Sequence, residues 1–292
     1  MNLGFTDIHC HGGGGFSFSD SNLDNIEIAL ETHRLHGTTT QIASLVTEPI
    51  PALKQQIKSL NKFADNGSIA GIHLEGPYLS KAKCGAHDPL LLRDPKLDEV
   101  KELLDVGAGN IKMITIAPEL PGAIETIRYL HSVGVTAAIG HSDASEELTI
   151  RAIDAGASVV THMFNGLPNL DHRADTITNA LIINPDIYFE LILDGVHVNH
   201  SLVQLLLLVA PNRIILVTDA MSAAGASDGD YKIGALDVQV ADGVAKLIST
   251  GSLAGSTLTM DNAYDRLVNE FNVSTEFGHS AAIDLGKKAL GI

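Results

Sequence analysis

Short apolar runs alternate with amphipathic stretches along most of the chain. Eight runs have the composition of strands, and they cover residues 3–11, 38–45, 69–75, 111–117, 135–141, 158–162, 188–194 and 213–219. The stretches between them have helical periodicity and cover residues 22–36, 51–64, 98–106, 122–132, 146–155, 174–183 and 201–210. Runs such as Ile214-Ile215-Leu216-Val217 are apolar on both faces, as parallel strands covered by helices require. Eight strand–helix units predict a TIM-like (β/α)8 barrel, with an open doubly wound sheet as the alternative.

The segment after the eighth strand has a different pattern. Residues 231–240 and 244–248 alternate in polarity and are separated by Asp242-Gly243, which predicts a small β-hairpin insertion. Two further helices are predicted at residues 259–271 and 274–290. Asp143, three residues before Glu146, is predicted to cap the fifth helix. No low-complexity linker interrupts the pattern, so residues 1–292 are expected to form a single domain.

Composition and charge narrow the class of protein. The chain has 292 residues, of which 45% are hydrophobic and 18% charged, and this balance is typical of a globular protein. Its net charge of −16 argues against nucleic acid or an anionic membrane as a partner. Residues 1–7 carry no secretory signal pattern, and the two cysteines make no disulfide framework. We therefore expect a cytoplasmic protein.

Histidines and carboxylates recur where the predicted strands end. In a barrel, the C-terminal ends of the strands meet at the face that carries the chemistry. His9 and His11 are two residues apart on an extended strand, so both project to the same side and can share a metal ion. Imidazole and carboxylate ligands suit zinc, iron, manganese and similar ions without choosing among them. The matching positions at other strand ends are Glu75, His141, His162 and Asp219.

These positions indicate metal-assisted hydrolysis of a carbonyl or phosphoryl compound. Asp219 is the candidate general base, because a carboxylate near an activated water can take its proton. Asp7 and His73 lie two residues before candidate ligands and are expected one layer deeper, and Cys10 is expected to pack on the opposite face. The remaining helical histidines are expected at the surface, namely His33, His36, His131, His200 and His279.

Taken together, the motifs at the strand ends and in the following loops resemble the N-acetylglucosamine-6-phosphate deacetylases of the amidohydrolase superfamily. The segments that carry the resemblance occur in the family's order: Asp7-Ile8-His9-Cys10-His11-Gly12-Gly13, His73-Leu74-Glu75-Gly76-Pro77, Gly85-Ala86-His87-Asp88-Pro89, Gly140-His141-Ser142, Thr161-His162-Met163-Phe164-Asn165-Gly166, Asp194-Gly195-Val196-His197, Thr218-Asp219-Ala220 and Leu253-Ala254-Gly255-Ser256. The resemblance implies hydrolysis of the acetamide of N-acetylglucosamine 6-phosphate to glucosamine 6-phosphate and acetate.

The resemblance also implies a metal centre with one or two divalent ions per subunit. Zinc is the expected metal, and iron, manganese, cobalt and nickel are the alternatives. Asp219 corresponds to the catalytic acid/base and also to a ligand. The implied ligands of the principal ion are Glu75, His141 and His162, and His9 and His11 correspond to a second position.

Substrate contacts follow from the same resemblance. Ala86 and His87 would hold the sugar and acetyl group, with His87 polarising the scissile carbonyl. The implied phosphate and sugar contacts are Asn165, Gly166, Arg173 and His197, and the residues closing over the substrate are Leu253, Ala254 and Gly255. In the family the arginine comes from the neighbouring subunit, which implies a homodimer with composite sites.

The sequence departs from the family pattern at two places. The flanking β-sandwich segments of the family are missing from these 292 residues, and the Arg173 loop lacks the usual Pro-Gly. Two other functions remain open on the residues alone. One is another barrel metal hydrolase, such as a TatD-like nuclease or a lactonase, and the other is a degenerate sugar-phosphate-binding protein. The choice between N-acetylglucosamine and N-acetylgalactosamine 6-phosphate also remains open.

Overall fold

A barrel of parallel strands organises the computed structural model, which describes residues 4–292. Its eight described strands follow one another in chain order, each parallel to the last. They are β1 (Phe5–Asp7), β2 (Thr38–Leu45), β3 (Gly71–Glu75), β4 (Ile111–Ile116), β5 (Thr136–Ile139), β6 (Ala157–Val160), β7 (Tyr188–Ile192) and β8 (Ile214–Val217). The predicted start of the first strand at Leu3 lies outside the described residues.

One helix follows each of the first seven strands and covers the outside of the barrel. These helices are α1 (Leu23–Leu35), α2 (Ile50–Asp65), α3 (Leu97–Gly107), α4 (Ala123–Ser132), α5 (Glu146–Asp154), α6 (Ile177–Ile183) and α7 (His200–Val209). The predicted (β/α)8 architecture is confirmed, and the open doubly wound alternative is excluded by how the sheet closes. Among residues 4–292, every helix is too short or too polar to span a bilayer.

The barrel closes between its first and last strands just beyond their ends. The N–H of Asp219 donates to the carbonyl of His9 at 2.8 Å, and the N–H of His11 donates to the carbonyl of Ala220 at 2.8 Å. Below them the Thr218 hydroxyl donates to Asp7 Oδ2 at 2.6 Å. Closure therefore joins the segment that holds two candidate metal ligands to the segment that holds the candidate base.

A three-stranded antiparallel sheet follows β8, where the sequence predicted a hairpin of two strands. It consists of β9 (Gly229–Ile233), β10 (Leu236–Ala241) and β11 (Val244–Leu247). The predicted strand 231–240 is wrong as one element, because the chain reverses at Gly234, which has φ +53°. The Asp242-Gly243 turn is confirmed. Both residues have positive φ, which the commonest two-residue hairpin turn needs.

Three helical pieces at the C-terminal end complete the outer layer. They are α8 (Met260–Glu270), α9 (Thr275–His279) and α10 (Leu285–Leu290), and a π-helical turn at Ser280–Asp284 joins the last two. Gly286 lets this segment approach the barrel closely, because a Cβ there would lie 3.1 Å from Ile8 Cγ2. These helices therefore cover β1 and β8, where the strand–helix repeat has no eighth helix of its own.

Two local predictions are wrong. Ser145, rather than Asp143, caps α5, because its hydroxyl accepts the N–H of Leu148 at 3.3 Å. His33 is buried rather than at the surface, since it shares the inward face of α1 with Ile26 and Leu30. Its Nε2 lies 2.9 Å from the carbonyl of Gly12 and 3.2 Å from Cys10 Sγ.

We expect the cap assignment to be measurable as stability. Ser145→Ala removes the acceptor for the first turn of α5 and should cost about 1 kcal/mol of unfolding free energy. Asp143→Ala is the matched control and should cost less than ~0.5 kcal/mol, because that side chain is half exposed. Urea unfolding of both variants checks the difference, and equal losses would contradict the assignment to Ser145.

Candidate active site and metal centre

The candidate site lies where three strands end in an unusual backbone conformation. His141 follows β5 at φ +49°, His162 follows β6 at φ +29° and Asp219 follows β8 at φ +47°. Left-handed φ values in residues with a side chain cost about 1–3 kcal/mol each and cluster at functional sites. The strands predicted at residues 135–141 and 158–162 end two residues earlier in the structure than predicted. The chain leaves the sheet there and turns these side chains into the barrel mouth.

Glu75, at the end of β3, is the centre of the site. Its Oε1 lies 3.0 Å from His162 Nε2 and 3.4 Å from His141 Nε2, and these two nitrogens are 3.1 Å apart. Its Oε2 lies 3.2 Å from His11 Nε2. All four side chains are buried. One carboxylate therefore stands between two groups of imidazoles.

The second group contains His9, His11 and Asp219. The two Nε2 atoms are 3.0 Å apart, and Asp219 Oδ1 lies 3.4 Å from that of His9 and 3.3 Å from that of His11. Glu75 Oε1 is 3.6 Å from His9 Nε2. The five predicted metal ligands of the resemblance and the candidate base thus converge on one small volume.

The hydrogen-bond partners of the histidines show that this donor set fits a divalent cation. His141 Nδ1 lies 2.7 Å from the carbonyl of Lys83, which can only accept, so Nδ1 carries the proton. His9 Nδ1 lies 2.8 Å from the carboxylate of Glu190. In both rings Nε2 is therefore the nitrogen that faces the cluster and can bind a cation. Spacings of 3.0–3.4 Å agree with ligand pairs of a tetrahedral ion bound at ~2.0–2.1 Å.

The two carboxylates of the cluster favour positive charge between the imidazoles. Burial alone would raise the pKa of Glu75, but the surrounding imidazoles, with His9 foremost, hold it well below its usual range. Burial likewise opposes ionisation of Asp219, yet His9 and His11 lower its pKa to about 2. Both carboxylates are therefore ionised at neutral pH.

Two glycines hold the ring of His141. A Cβ on Gly85 would lie 2.8 Å from its Cε1, and a Cβ on Gly166 would lie 2.8 Å from its Nδ1. Both glycines also have positive φ, so a side chain at either position would be strained as well as crowded. The loops after β3 and β6 therefore need glycine to approach the ligand closely.

A cavity of about 230 Å³ opens directly above the cluster. It is lined by Glu75, Gly85, Ala86, His87, His141, His162, Asn165, Gly166, His197, Asp219, Ile233, Leu253 and Gly255. Two predicted substrate contacts lie elsewhere. Ala254 is fully buried in the small core under the three-stranded sheet, and Arg173 is exposed on the loop before α6. A larger groove near Arg266 is lined by carboxylates and has no histidine in its lining.

His87 reaches the cavity as a neutral hydrogen-bond donor. Burial lowers its pKa to about 4, against an opposing effect of Glu75. Its Nδ1 accepts the N–H of Thr47 at 3.4 Å and lies 2.9 Å from the hydroxyl of the same residue. The proton is therefore on Nε2, which lies on the cavity side 3.5 Å from Glu75 Oε2.

His197 brings to the cavity an imidazole whose surroundings favour its cationic form. Burial would lower its pKa, but Asp194, whose Oδ2 lies 2.6 Å from Nδ1, raises it above the usual value. Asp194 is itself fixed, because its Oδ1 accepts the N–H groups of Val196 and His197 at 2.8 and 2.9 Å. This arrangement suits an anionic group of a ligand.

Two supporting residues escaped the sequence analysis as site residues. Glu190 contacts His9, and Asp194 contacts His197. The signal for Glu190 was a single acid within the otherwise apolar run of β7. Asp7 and His73 lie one layer below the ligands, as expected, with His73 bonded to Ser44 and Thr115 at 3.0 and 2.8 Å.

Comparison with known proteins shows several close relatives. The chain is 33% identical over 293 residues to the N-acetylglucosamine-6-phosphate deacetylase of Vibrio furnissii, covering 99% of this chain and 73% of that protein. It is 34% identical over 284 residues to the N-acetylgalactosamine-6-phosphate deacetylase of Escherichia coli O157:H7, covering 96% and 75%. The crystal structure of the Mycobacterium smegmatis N-acetyl-D-glucosamine-6-phosphate deacetylase superposes with a TM-score of 0.96 at 41% identity, covering 99% and 78%. No family model matches the chain.

We expect zinc to stabilise the protein through the converging donors. At about a hundredfold excess over its dissociation constant, zinc should add ~2.7 kcal/mol, which raises Tm by several degrees. Glu75→Gln should lose most of this rise, because Glu75 is the carboxylate common to both groups. Calcium is the control ion, since it prefers oxygen ligands. A zinc-induced Tm rise that is equal in the variant would contradict the assignment.

Proposed function

This chain belongs to the family of N-acetylglucosamine-6-phosphate deacetylases, and we propose that its cavity hydrolyses the acetamide of N-acetylglucosamine 6-phosphate to glucosamine 6-phosphate and acetate. The observation that carries the proposal is the convergence of the histidine and carboxylate cluster beneath the cavity. That cluster supplies ionised carboxylates and imidazole lone pairs where an amide carbonyl can be attacked.

The residues that would hold the metal form two groups around Glu75. One group is His141 and His162, the other is His9 and His11, and Asp219 lies beside the second. This division supports two adjacent ion positions, with zinc as the expected metal and iron, manganese, cobalt or nickel as alternatives. When bound, a divalent ion supplies Lewis acidity and lowers the pKa of a bound water toward ~7.

Asp219 acts as the acid/base group. With its pKa held near 2 it is ionised at neutral pH, so it is ready to take a proton from the attacking water. Once protonated, the same carboxyl can pass that proton to the leaving amine nitrogen. Its Oδ1 lies 3.3–3.4 Å from the two imidazoles that flank it, so its position is fixed.

His87 supplies the hydrogen bond to the scissile carbonyl oxygen. It stays neutral across the physiological range because burial lowers its pKa to about 4, and it keeps its proton on the nitrogen that faces the cavity. A donor placed at the oxygen that gains negative charge in the transition state lowers the barrier of acyl transfer. Ala86, beside it, leaves room for the acetyl group.

The phosphate and sugar are expected beside His197. Asp194 raises the pKa of His197 and so favours its cationic form, and Asn165 and Gly166 line the same cavity. Leu253 and Gly255 approach from the loop after β11 and would close over the substrate.

The position of Arg173 supports a homodimer in which each cavity receives a residue from the partner subunit. It is exposed, lies outside the cavity lining, and follows a groove formed partly by Leu170, Ile182 and Ile183. Leu170 is 40% and Ile183 73% exposed. Covering this apolar surface with a second copy of the chain would favour association and could carry Arg173 to the partner's cavity.

The nuclease and lactonase alternatives have no support among the relatives named above. The degenerate-protein alternative is disfavoured because each predicted catalytic position holds a competent group in a usable geometry, Asp219 and His87 above all. N-acetylgalactosamine 6-phosphate remains the second candidate substrate, because one 34% identical relative is a deacetylase of that name.

We expect acetate release from N-acetylglucosamine 6-phosphate, and Asp219→Asn should lower kcat at least ~10²-fold by removing the proton carrier. The assay should compare both hexosamine 6-phosphates with unphosphorylated N-acetylglucosamine, and metal content should be measured on the same samples. Zinc retained by an inactive Asp219→Asn protein supports the role of Asp219. No acetate from any of the three compounds with fully metallated wild type would overturn the function.

Arg173→Ala should raise KM for the phosphorylated substrate about 10–100-fold, because it removes a charge-assisted contact. KM for unphosphorylated N-acetylglucosamine should not change. If the site is shared, mixing Arg173→Ala with Asp219→Asn protomers should restore about a quarter of wild-type activity at low substrate, through mixed dimers with one complete site. Mixtures no more active than the separate variants would argue against sharing.

A further inference from the structure

We propose that Glu190 is the positioning residue of the metal centre, because one of its carboxylate oxygens orients the ring of His9 and also holds the backbone of His162. The proposal rests on the metal-binding role given above to these two histidines. Glu190 lies inside the barrel wall and touches neither substrate nor ion. It would therefore affect metal binding only through these two histidines.

The geometry places both contacts on a single atom. Glu190 Oε2 lies 2.8 Å from His9 Nδ1 and 3.1 Å from the backbone nitrogen of His162. Glu190 sits in β7 and is completely buried, with Phe189 and Leu191 as its neighbours in an otherwise apolar strand. Strands β1 and β6, whose ends carry these histidines, are thereby connected through β7.

The direction of the hydrogen bonds decides what the contact does to His9. Oε2 accepts the backbone N–H of His162, so it presents lone pairs, and the ring of His9 donates its Nδ1 proton to the same oxygen. Nε2 is then the nitrogen that faces His11 and Asp219 and is available to a metal. A carboxylate behind an imidazole ligand also makes that ligand more basic, which strengthens its bond to a metal.

The second bond acts on a strained residue. His162 has φ +29°, a conformation in which a side chain is disfavoured, and its N–H would lack this acceptor if an apolar residue replaced Glu190. The carbonyl of Glu190 additionally accepts the N–H of Met163 at 2.8 Å. Glu190 therefore supports the segment that turns His162 toward Glu75.

A purely structural role does not explain an acid at this position. Burying a carboxylate is unfavourable unless its hydrogen bonds are complete, and an apolar side chain would fill the same space. Within residues 4–292, Glu190 Oε1 has no hydrogen-bond partner. The satisfied oxygen is the one that serves the two metal-binding histidines.

Zinc binding to the chelator-treated full chain tests the proposal. Competition with a chromophoric chelator should show that Glu190→Gln weakens zinc binding about 10–100-fold, the usual effect of losing such a partner. Glu102→Gln makes the same chemical change on the surface, where Glu102 pairs with Lys54, and should leave zinc binding unchanged. Wild-type zinc affinity in Glu190→Gln would overturn the proposal.

A double variant separates the ring contact from the backbone contact. In a His9→Gln background, Glu190→Gln should weaken zinc binding much less than it does in wild type, because its main target is gone. Equal losses in the two backgrounds would overturn the assignment to His9. Glu190→Asp is the companion variant, since its shorter side chain withdraws the carboxylate from Nδ1 and should also weaken binding.

A third measurement observes the ring protons of the wild type directly. Nitrogen-15 spectra of the histidine rings in the chelator-treated wild type should show His9 protonated on Nδ1, with the resonance assigned by its loss in His9→Gln. A ring protonated on Nε2 alone, with Nδ1 unprotonated, would overturn the proposal. Failure of the proposed function is distinguishable, because a protein that releases no acetate can still show the zinc-binding and ring-proton results.

Discussion

Four imidazoles and two carboxylates, all buried and within hydrogen-bond distance of one another, are the constraint on which this structure depends. Ionised carboxylates buried at this spacing need positive charge among them, whether as protons on the imidazoles or as a bound cation. Glu75 is central because its two oxygens serve both groups. The surrounding protein fixes the six side chains at this spacing.

The barrel provides that rigidity in several ways. Closure bonds between His9, Asp219 and their neighbours join the first and last strands beside the ligands themselves. The positive φ values of His141, His162 and Asp219 are tolerated because neighbouring hydrogen bonds hold the chain. The N–H of Ser80 donates to the carbonyl of His141, and Glu190 accepts the N–H of His162. Gly85 and Gly166 then allow loops to approach the His141 ring. These strained conformations lower stability locally, and they hold the metal-binding side chains in position before any ion binds.

The barrel and the residues at its strand ends were predictable from the sequence, because both depend on patterns of neighbouring residues. The strand–helix alternation predicted the barrel, and residues at strand ends predicted the convergence of Glu75, His141 and His162. Glu190 and the buried His33 were not recognised, because their partners are 28 residues or more away from Glu190 and 21 away from His33 along the chain. The carbonyl of Lys83 could not be recognised at all, since backbone groups are identical in every residue.

Chain order, the strand–helix repeat, the chemistry at each strand end and the Asp242-Gly243 turn are properties of local sequence, and the sequence alone determined them. Tertiary structure decided the rest: that Nδ1 of His141 carries a proton, that the predicted hairpin is a three-stranded sheet, that Ser145 caps α5, and that Arg173 and Ala254 lie off the cavity. The physical reason is distance. Periodicity reports which face a side chain takes, but proton positions, burial and exposure depend on atoms that only the closed barrel brings within a few ångströms.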